Sequence, residues 1–211
     1  MTDIIEKKTL KDKIITILMQ KIIDQEIKVG EKLKEAHLAK EFGVSQAPVR
    51  EAIISLVTLG ILEHKPNVGA SVKVYTKKEV IEIYEAREAL ERYAVSNIKY
   101  FDKLDALKNA YIKMLKAVKE NNINQYVVYD QSFHEALISM SGNLIILELW
   151  RQQYTKSSVI NIVKKFESSL EDIVSLHLPI IEAIEMQVML DCDNAVKLHY
   201  REIIKSIKDI E

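Results

Sequence analysis

Glycine and proline are scarce in this 211-residue sequence, five of one and three of the other. With so few helix breakers, a mainly α-helical protein is the expectation. Cysteine occurs once, at Cys192, so no internal disulfide can form, and a reducing compartment suits the chain. Cys192 itself reads as a small helix-lining residue rather than a reactive thiol. There is no run of eighteen apolar residues, which argues against a membrane-spanning helix and a membrane partner. Residues 1–8 carry scattered charges where a signal peptide would have an apolar core. A cytoplasmic location follows as the expectation. Neither sign of charge dominates, with 30 Lys and Arg against 31 Asp and Glu. A division near Tyr75 leaves 12 basic against 10 acidic residues before it and 18 against 21 after it. That slight asymmetry agrees with nucleic-acid binding at the front, without establishing it.

What is present divides at the same place, into residues 1–75 and 76–211. Leu10, Ile14, Ile17, Leu18 and Ile22 have amphipathic helical spacing, giving a helix over about 10–27 that Val29-Gly30 breaks. A second helix spans about 35–42, with Leu38 and Ala39 inward and Gly43 as its left-handed stop. A third runs from a Ser45 cap to about Leu59, before Gly60. Residues 61–64 and 70–74 alternate around a Pro66-Asn67-Val68-Gly69 tip and read as a β-hairpin, the one convincing strand signal. Beyond Tyr75 the pattern is helical throughout. Six helices are expected at about 77–100, 103–121, 124–141, 143–166, 170–189 and 192–210, an antiparallel bundle with short connections.

Ala39, Gly43 and Val49 supply a small contact residue, a turn glycine and an apolar anchor, in the order that a helix-turn-helix needs. The third helix would then offer its first turn to the major groove, with the hairpin as a wing near the backbone or minor groove. A small three-helix domain with chance spacing is the alternative on spacing alone. The residues themselves go further. Gly30-Glu31-Lys32-Leu33, Leu38-Ala39, Gly43-Val44-Ser45-Gln46-Ala47-Pro48-Val49-Arg50-Glu51-Ala52, Leu56 and Gly60-Ile61-Leu62 together resemble the GntR family of bacterial regulators over residues 10–74. The resemblance implies a winged helix-turn-helix that binds double-stranded DNA. It makes Arg50 the operator-contacting arginine, on guanine or phosphate. Ser45, Gln46 and Ala47 take neighbouring DNA-facing positions, and Gly69 the wing tip. The family commonly has arginine where Gln46 stands; glutamine can read adenine but brings no charge. Alternatively, Arg50 forms a surface ion pair with Glu51 or Glu63.

Of five histidines, His37 and His64 fall in the first segment and read as surface groups. Asp130 and His134 are four apart on one predicted helix and share a face, with Val127, Val128, Phe133 and Leu137 around them. A buried carboxylate beside an imidazole is costly unless paired or metal-bound. His177 starts a different helix, with Pro179 tolerable only near its first turn, and His199 lies on the last. Three His and one Asp can converge on a divalent metal, or each can be an ordinary hydrogen-bonded or surface group.

Residues 77–210 resemble the FadR C-terminal (FCD) domain of one GntR subfamily. The likeness is carried by Arg87-x-x-Leu90-Glu91, Asp130-x-x-Phe133-His134, Ser141-Gly142-Asn143, His177 with Ile181-x-Ala183-Ile184, and His199. It implies a divalent ion, Zn or Ni, on Asp130, His134, His177 and His199, with a small organic acid beside it. Arg87 is then the candidate for the acid, unless it pairs internally with Glu91. Asn143 is either an effector contact or a helix cap. The expected function is a homodimeric transcription regulator on a pseudo-palindromic operator, a repressor or an activator, whose effector binds in the helical domain. A metalloregulator with the ion as signal is the alternative. A metal-dependent enzyme is disfavoured, because Glu135 and Glu182 near the ligands belong to no catalytic signature.

Overall fold

Thr9 opens the first helix of the computed structural model, which describes residues 9–66, 68–163 and 169–208. Its hydroxyl accepts the Asp12 amide while the Asp12 carboxylate accepts the Thr9 amide, a reciprocal cap on α1 (Leu10–Ile23). The helix stops four residues short of the expected end. Gln25 sits at φ +59°, so the chain turns before Val29-Gly30, and Ile27 is buried from a loop rather than from a helical turn. Then follow β1 (Lys32–Leu33), α2 (Glu35–Phe42), α3 (Gln46–Thr58), β2 (Leu62–Lys65) and β3 (Gly69–Val72). β2 and β3 form the expected hairpin, with Leu62 opposite Val72 and Lys65 opposite Gly69. A third strand, β1, adds to the other edge of β3, Lys32 opposite Ser71. Two residues are too few to show alternation, so the sequence pattern hid it.

Ile14, Leu18 and Ile22 of α1 meet Val49, Ala52 and Leu56 of α3 in the core of this first unit, residues 1–75. The α2–α3 turn works as its residues require: Gly43 is left-handed at φ +66° and Ala39 is buried. Ser45 occupies the N-cap position of α3, but its side chain makes no capping bond.

The second unit, residues 76–211, is all helical among the described residues. It comprises α4 (Lys77–Ser96), α5 (Leu104–Lys119), α6 (Ile123–Ser139), α7 (Leu144–Val163), α8 (Leu170–Ser175), α9 (Leu178–Met186) and α10 (Met189–Lys208). α4 packs against α10, α7 and α6, and α5 against α6, α8 and α9. Trp150 and Tyr154 of α7 close on Ala94 and Ile138 to form one apolar cluster. One expected helix is corrected. Residues 170–189 are two helices, because Pro179 has no N–H to donate and its ring would clash with the carbonyl of Ser175. The chain breaks at Leu176-His177, and His177 becomes the N-cap residue of α9. The break expected at Asp191 falls instead at Gln187, whose φ is +55°. The expected extensions to 166 and 210 lie outside the described residues.

Gly142, ahead of α7, is required sterically. At φ +67°, a Cβ there would stand 2.5 Å from Cε2 of Tyr100.

Candidate metal centre and nucleic-acid interface

Three parts of the helical unit bring the predicted ligands together. α6 presents Asp130 and His134 one turn apart, the α8–α9 break presents His177, and α10 presents His199. All three histidines are buried, and their candidate ligand atoms lie within 4.8 Å of one another. His177 Nε2 is 3.2 Å from His134 Nε2 and 3.3 Å from Asp130 Oδ1, which is itself 3.7 Å from His134 Nε2.

The other ring nitrogens settle which atoms face the centre. His134 Nδ1 bonds Glu91 Oε2 at 2.8 Å, and His177 Nδ1 bonds the Val174 carbonyl at 3.1 Å. A neutral ring that donates from Nδ1 has a lone pair on Nε2. With both rings in that neutral form, two such lone pairs would face each other at 3.2 Å, an arrangement that a cation between them would relieve. His199 has no hydrogen-bond partner on either nitrogen among the described residues, although both are buried. An orphaned buried imidazole is costly unless it ligates. The donor set thus fits a divalent ion: three imidazole nitrogens, one carboxylate oxygen, and outer partners that fix two of the rings.

Electrostatics agree. Burial, then the facing His177 and His134 and Arg87, push the His199 pKa well below its ordinary value, against a weak opposing effect of the Leu176 backbone. The ring is held neutral, as a ligand must be. Burial opposes ionisation of Asp130, but His134, His177 and Arg87 outweigh it and hold its carboxyl well below the usual carboxylate range. Tyr154 Oη donates to the Val127 carbonyl at 3.0 Å and reaches Asp130 Oδ2 at 3.4 Å.

A cavity of about 70 Å³ opens beside this centre, lined by Asp130, His134, His199, Arg87, Tyr84 and Tyr126 together with aliphatic side chains. Arg87 is 2% exposed; Nη1 donates to Ser157 Oγ at 3.0 Å and Nη2 lies 3.8 Å from Glu91 Oε1. Its Nε has no partner among the described residues. The guanidinium stands 4.9 Å from the Tyr154 ring centre. Arg87 therefore makes the internal pair with Glu91 and also lines the cavity. Asn143 does not line it. Its Oδ1 accepts the Ile145 and Ile146 amides and its Nδ2 donates to Tyr93 Oη, so it caps α7. Val128, expected on the buried face, is 58% exposed. Glu135 pairs with Arg151 and Glu182 is exposed, so the structure supplies neither as a base at the centre.

Sequence reasoning gave Glu91 no role at the centre, noting it only within the Arg87-x-x-Leu90-Glu91 likeness and as a partner for Arg87. It is fully buried and accepts Trp150 Nε1 at 2.7 Å and Tyr200 Oη at 2.5 Å besides His134. A charged residue amid the apolar positions of a helix was the available signal.

In the first unit, Ser45, Gln46, Ala47 and Arg50 are all exposed at the start of α3. Arg50 pairs with Glu35 of α2, Nε to Oε2 at 2.9 Å, rather than with Glu51 or Glu63. Gly69 opens β3 at φ +95°, where a Cβ would meet nothing within 4 Å. Asn67, the expected wing-tip contact, lies outside the described residues. His37 and His64 are exposed.

Residues 10–72 match the family described as bacterial regulatory proteins, gntR family, and residues 82–202 match the FCD domain. The chain belongs to the GntR family. It is a transcriptional regulator with an FCD domain, and its relatives are regulators, not enzymes. It is 25% identical over 181 residues to the "Probable D-xylose utilization operon transcriptional repressor" of Paenarthrobacter nicotinovorans, covering 84% of this chain and 79% of that one. To the gluconate operon transcriptional repressor of Bacillus licheniformis it is 31% identical over 136 residues, 63% of this chain and 56% of the other. A GntR regulator structure from Rhodococcus sp. RHA1 superposes with a TM-score of 0.83 at 21% identity, over 95% of this chain and 98% of the other, and shares the fold. No helix among the described residues is long and apolar enough to cross a membrane.

Proposed function

We propose that this GntR regulator is a cytoplasmic homodimer whose operator affinity is set by a small organic acid bound beside a divalent metal. Asp130, His134, His177 and His199 would hold the ion, zinc or nickel by their mixed nitrogen and oxygen donors. When bound, such an ion supplies a fixed positive charge and an open coordination position for an oxygen ligand. Arg87, buried on the same cavity wall, presents a planar cation to a carboxylate, while Tyr84 and Tyr126 border the remaining space. Ser45, Gln46, Ala47 and Arg50 would meet bases and phosphates, with Gly69 letting the wing backbone approach DNA. Two copies are needed because one module reads one half-site of a pseudo-palindrome.

One observation carries this reading: three imidazoles and a carboxylate cluster together, and Asp130, His134 and His199 of that cluster line a small cavity with a buried arginine. The acid then acts by binding better to one of two states that differ in DNA affinity. The gluconate repressor among the relatives makes gluconate a reasonable first acid to test, alongside shorter hydroxy acids.

The test is metal content per chain in protein purified without an affinity tag, native against His177→Ala, followed by DNA binding with and without each acid. About one ion per native chain, lost in the variant, supports the centre. A metal-free native protein that still folds and binds DNA overturns it.

A further inference from the structure

We propose that Glu91 is a positioning residue for the metal centre: it fixes the His134 tautomer and, through the same carboxylate, the posture of Arg87. The inference rests on the metal reading above and adds a residue to it. Three donors converge on this one fully buried side chain. His134 Nδ1 takes Oε2 at 2.8 Å, while Trp150 Nε1 and Tyr200 Oη share Oε1 at 2.7 and 2.5 Å. Arg87 Nη2 stands 3.8 Å from Oε1, so the charge that orients a ligand ring also steadies the guanidinium on the cavity wall.

The chemistry of the three donors says why a carboxylate stands here. Indole N–H can only donate, and a hydroxyl and an imidazole N–H donate beside it, so both side-chain oxygens must accept. An amide has one such oxygen. In Glu91→Gln, an amide NH₂ turned toward His134 makes Nδ1 the acceptor, moves the ring proton to Nε2 and removes the lone pair that faces His177 and Asp130. Turned the other way, the NH₂ confronts the Trp150 N–H. A buried charge is costly, and an apolar residue of the same length would fill this volume without that cost. What the apolar residue cannot do is hold the His134 proton on Nδ1, and outer partners of ligand histidines have that effect on metal affinity.

The experiment measures zinc affinity by competition with a chromophoric chelator, together with the visible absorption of the cobalt-substituted protein, for wild type, Glu91→Gln and Trp150→Phe. Glu91→Gln should weaken zinc binding about 10- to 100-fold and alter the cobalt spectrum. Trp150→Phe removes a neighbouring donor without touching the Oε2–His134 bond. It should lower the melting temperature and leave zinc affinity within about threefold of wild type. Glu91→Gln with wild-type zinc affinity overturns the role of Glu91 while leaving the centre intact. Equal losses in both variants also overturn it, because the effect would then be general loosening of the core. A wild-type chain that binds no zinc, cobalt or nickel overturns the centre itself.

Discussion

Arg50 is tied to Glu35, fifteen residues earlier, by an Nε–Oε2 bond of 2.9 Å across the turn between α2 and α3. Nε is the atom engaged, so the pair leaves the terminal fork of an exposed guanidinium available to other partners. A carboxylate beside the proposed DNA-facing surface would have two opposed effects. It holds the fork in one direction, and it repels phosphates. Glu35→Gln should therefore raise affinity for mixed-sequence DNA, by up to about fivefold on the scale of an exposed ion pair. Affinity for a duplex selected from a random library should fall or stay level. Equal gains on both duplexes would leave Glu35 as a mere repulsive charge.

Removing Arg50 reports on what it touches. If it reads guanine, Arg50→Ala should cost about 1–3 kcal/mol on the selected duplex and relax preference at one position. If it clamps phosphate, binding should weaken alike on all sequences, and the salt slope should drop by about one. Fluorescence anisotropy at three salt concentrations separates these outcomes, and unchanged binding would remove Arg50 from the interface.

Arg87→Met tests the acid side of the centre alone. The substitution keeps bulk against Tyr154 and Tyr200 but removes the cation. The protein should retain about one ion per chain and lose the increase in melting temperature, and the change in DNA affinity, that an effective acid gives the wild type. Loss of the metal together with the acid response would show that Arg87 supports the ligands instead.

Much of this could be read in the sequence, for definite reasons. The Ala39-Gly43-Val49 spacing and the clustering of the candidate ligands from α6, α9 and α10 are signals at positions that fold geometry fixes. The α8–α9 break was half visible: Pro179 was seen to need a helix start, yet apolar periodicity ran on through 170–189 and masked it. Asn143 and Arg50 are cases where one residue type fits two roles, and only geometry shows the cap on α7 and the pair with Glu35. Glu91 went unnoticed as a hub because its donors come from 43, 59 and 109 residues away, a convergence no local pattern reports.

Acid should destabilise the metal-free protein in a defined window. Folding depresses the His199 pKa from its ordinary 6.5, so below that value the unfolded chain takes up a proton that the folded chain refuses. Stability must then fall as the pH drops through the region below about 6.5. Asp130 and Glu91, both lowered in the fold, act in the same direction nearer pH 4. Urea midpoints at pH 7.5, 6.5 and 5.5 should decline, and His199→Gln should flatten the last step. A wild-type midpoint that holds constant to pH 5.5 would contradict a buried neutral His199.

Chelation gives the complementary result. A metal-stripped sample should melt about 5–10 °C lower than one with free zinc at a hundred times its Kd, and added zinc or nickel should restore it. An ion that survives long dialysis acts as a cofactor; one that exchanges readily at physiological concentrations supports the ion as signal.

The position of His177 at the helix break has a consequence for chain entropy. Asp130 and His199 bracket a stretch of about 70 residues, with His177 inside it, and an ion bound by them closes that stretch into a loop. A covalent link over such a span restricts the unfolded chain by an amount worth about 4 kcal/mol. A sequence with one cysteine has no such link to make. Coordination at the proposed centre would give it one that can be opened and closed by the supply of metal, without any change in redox state.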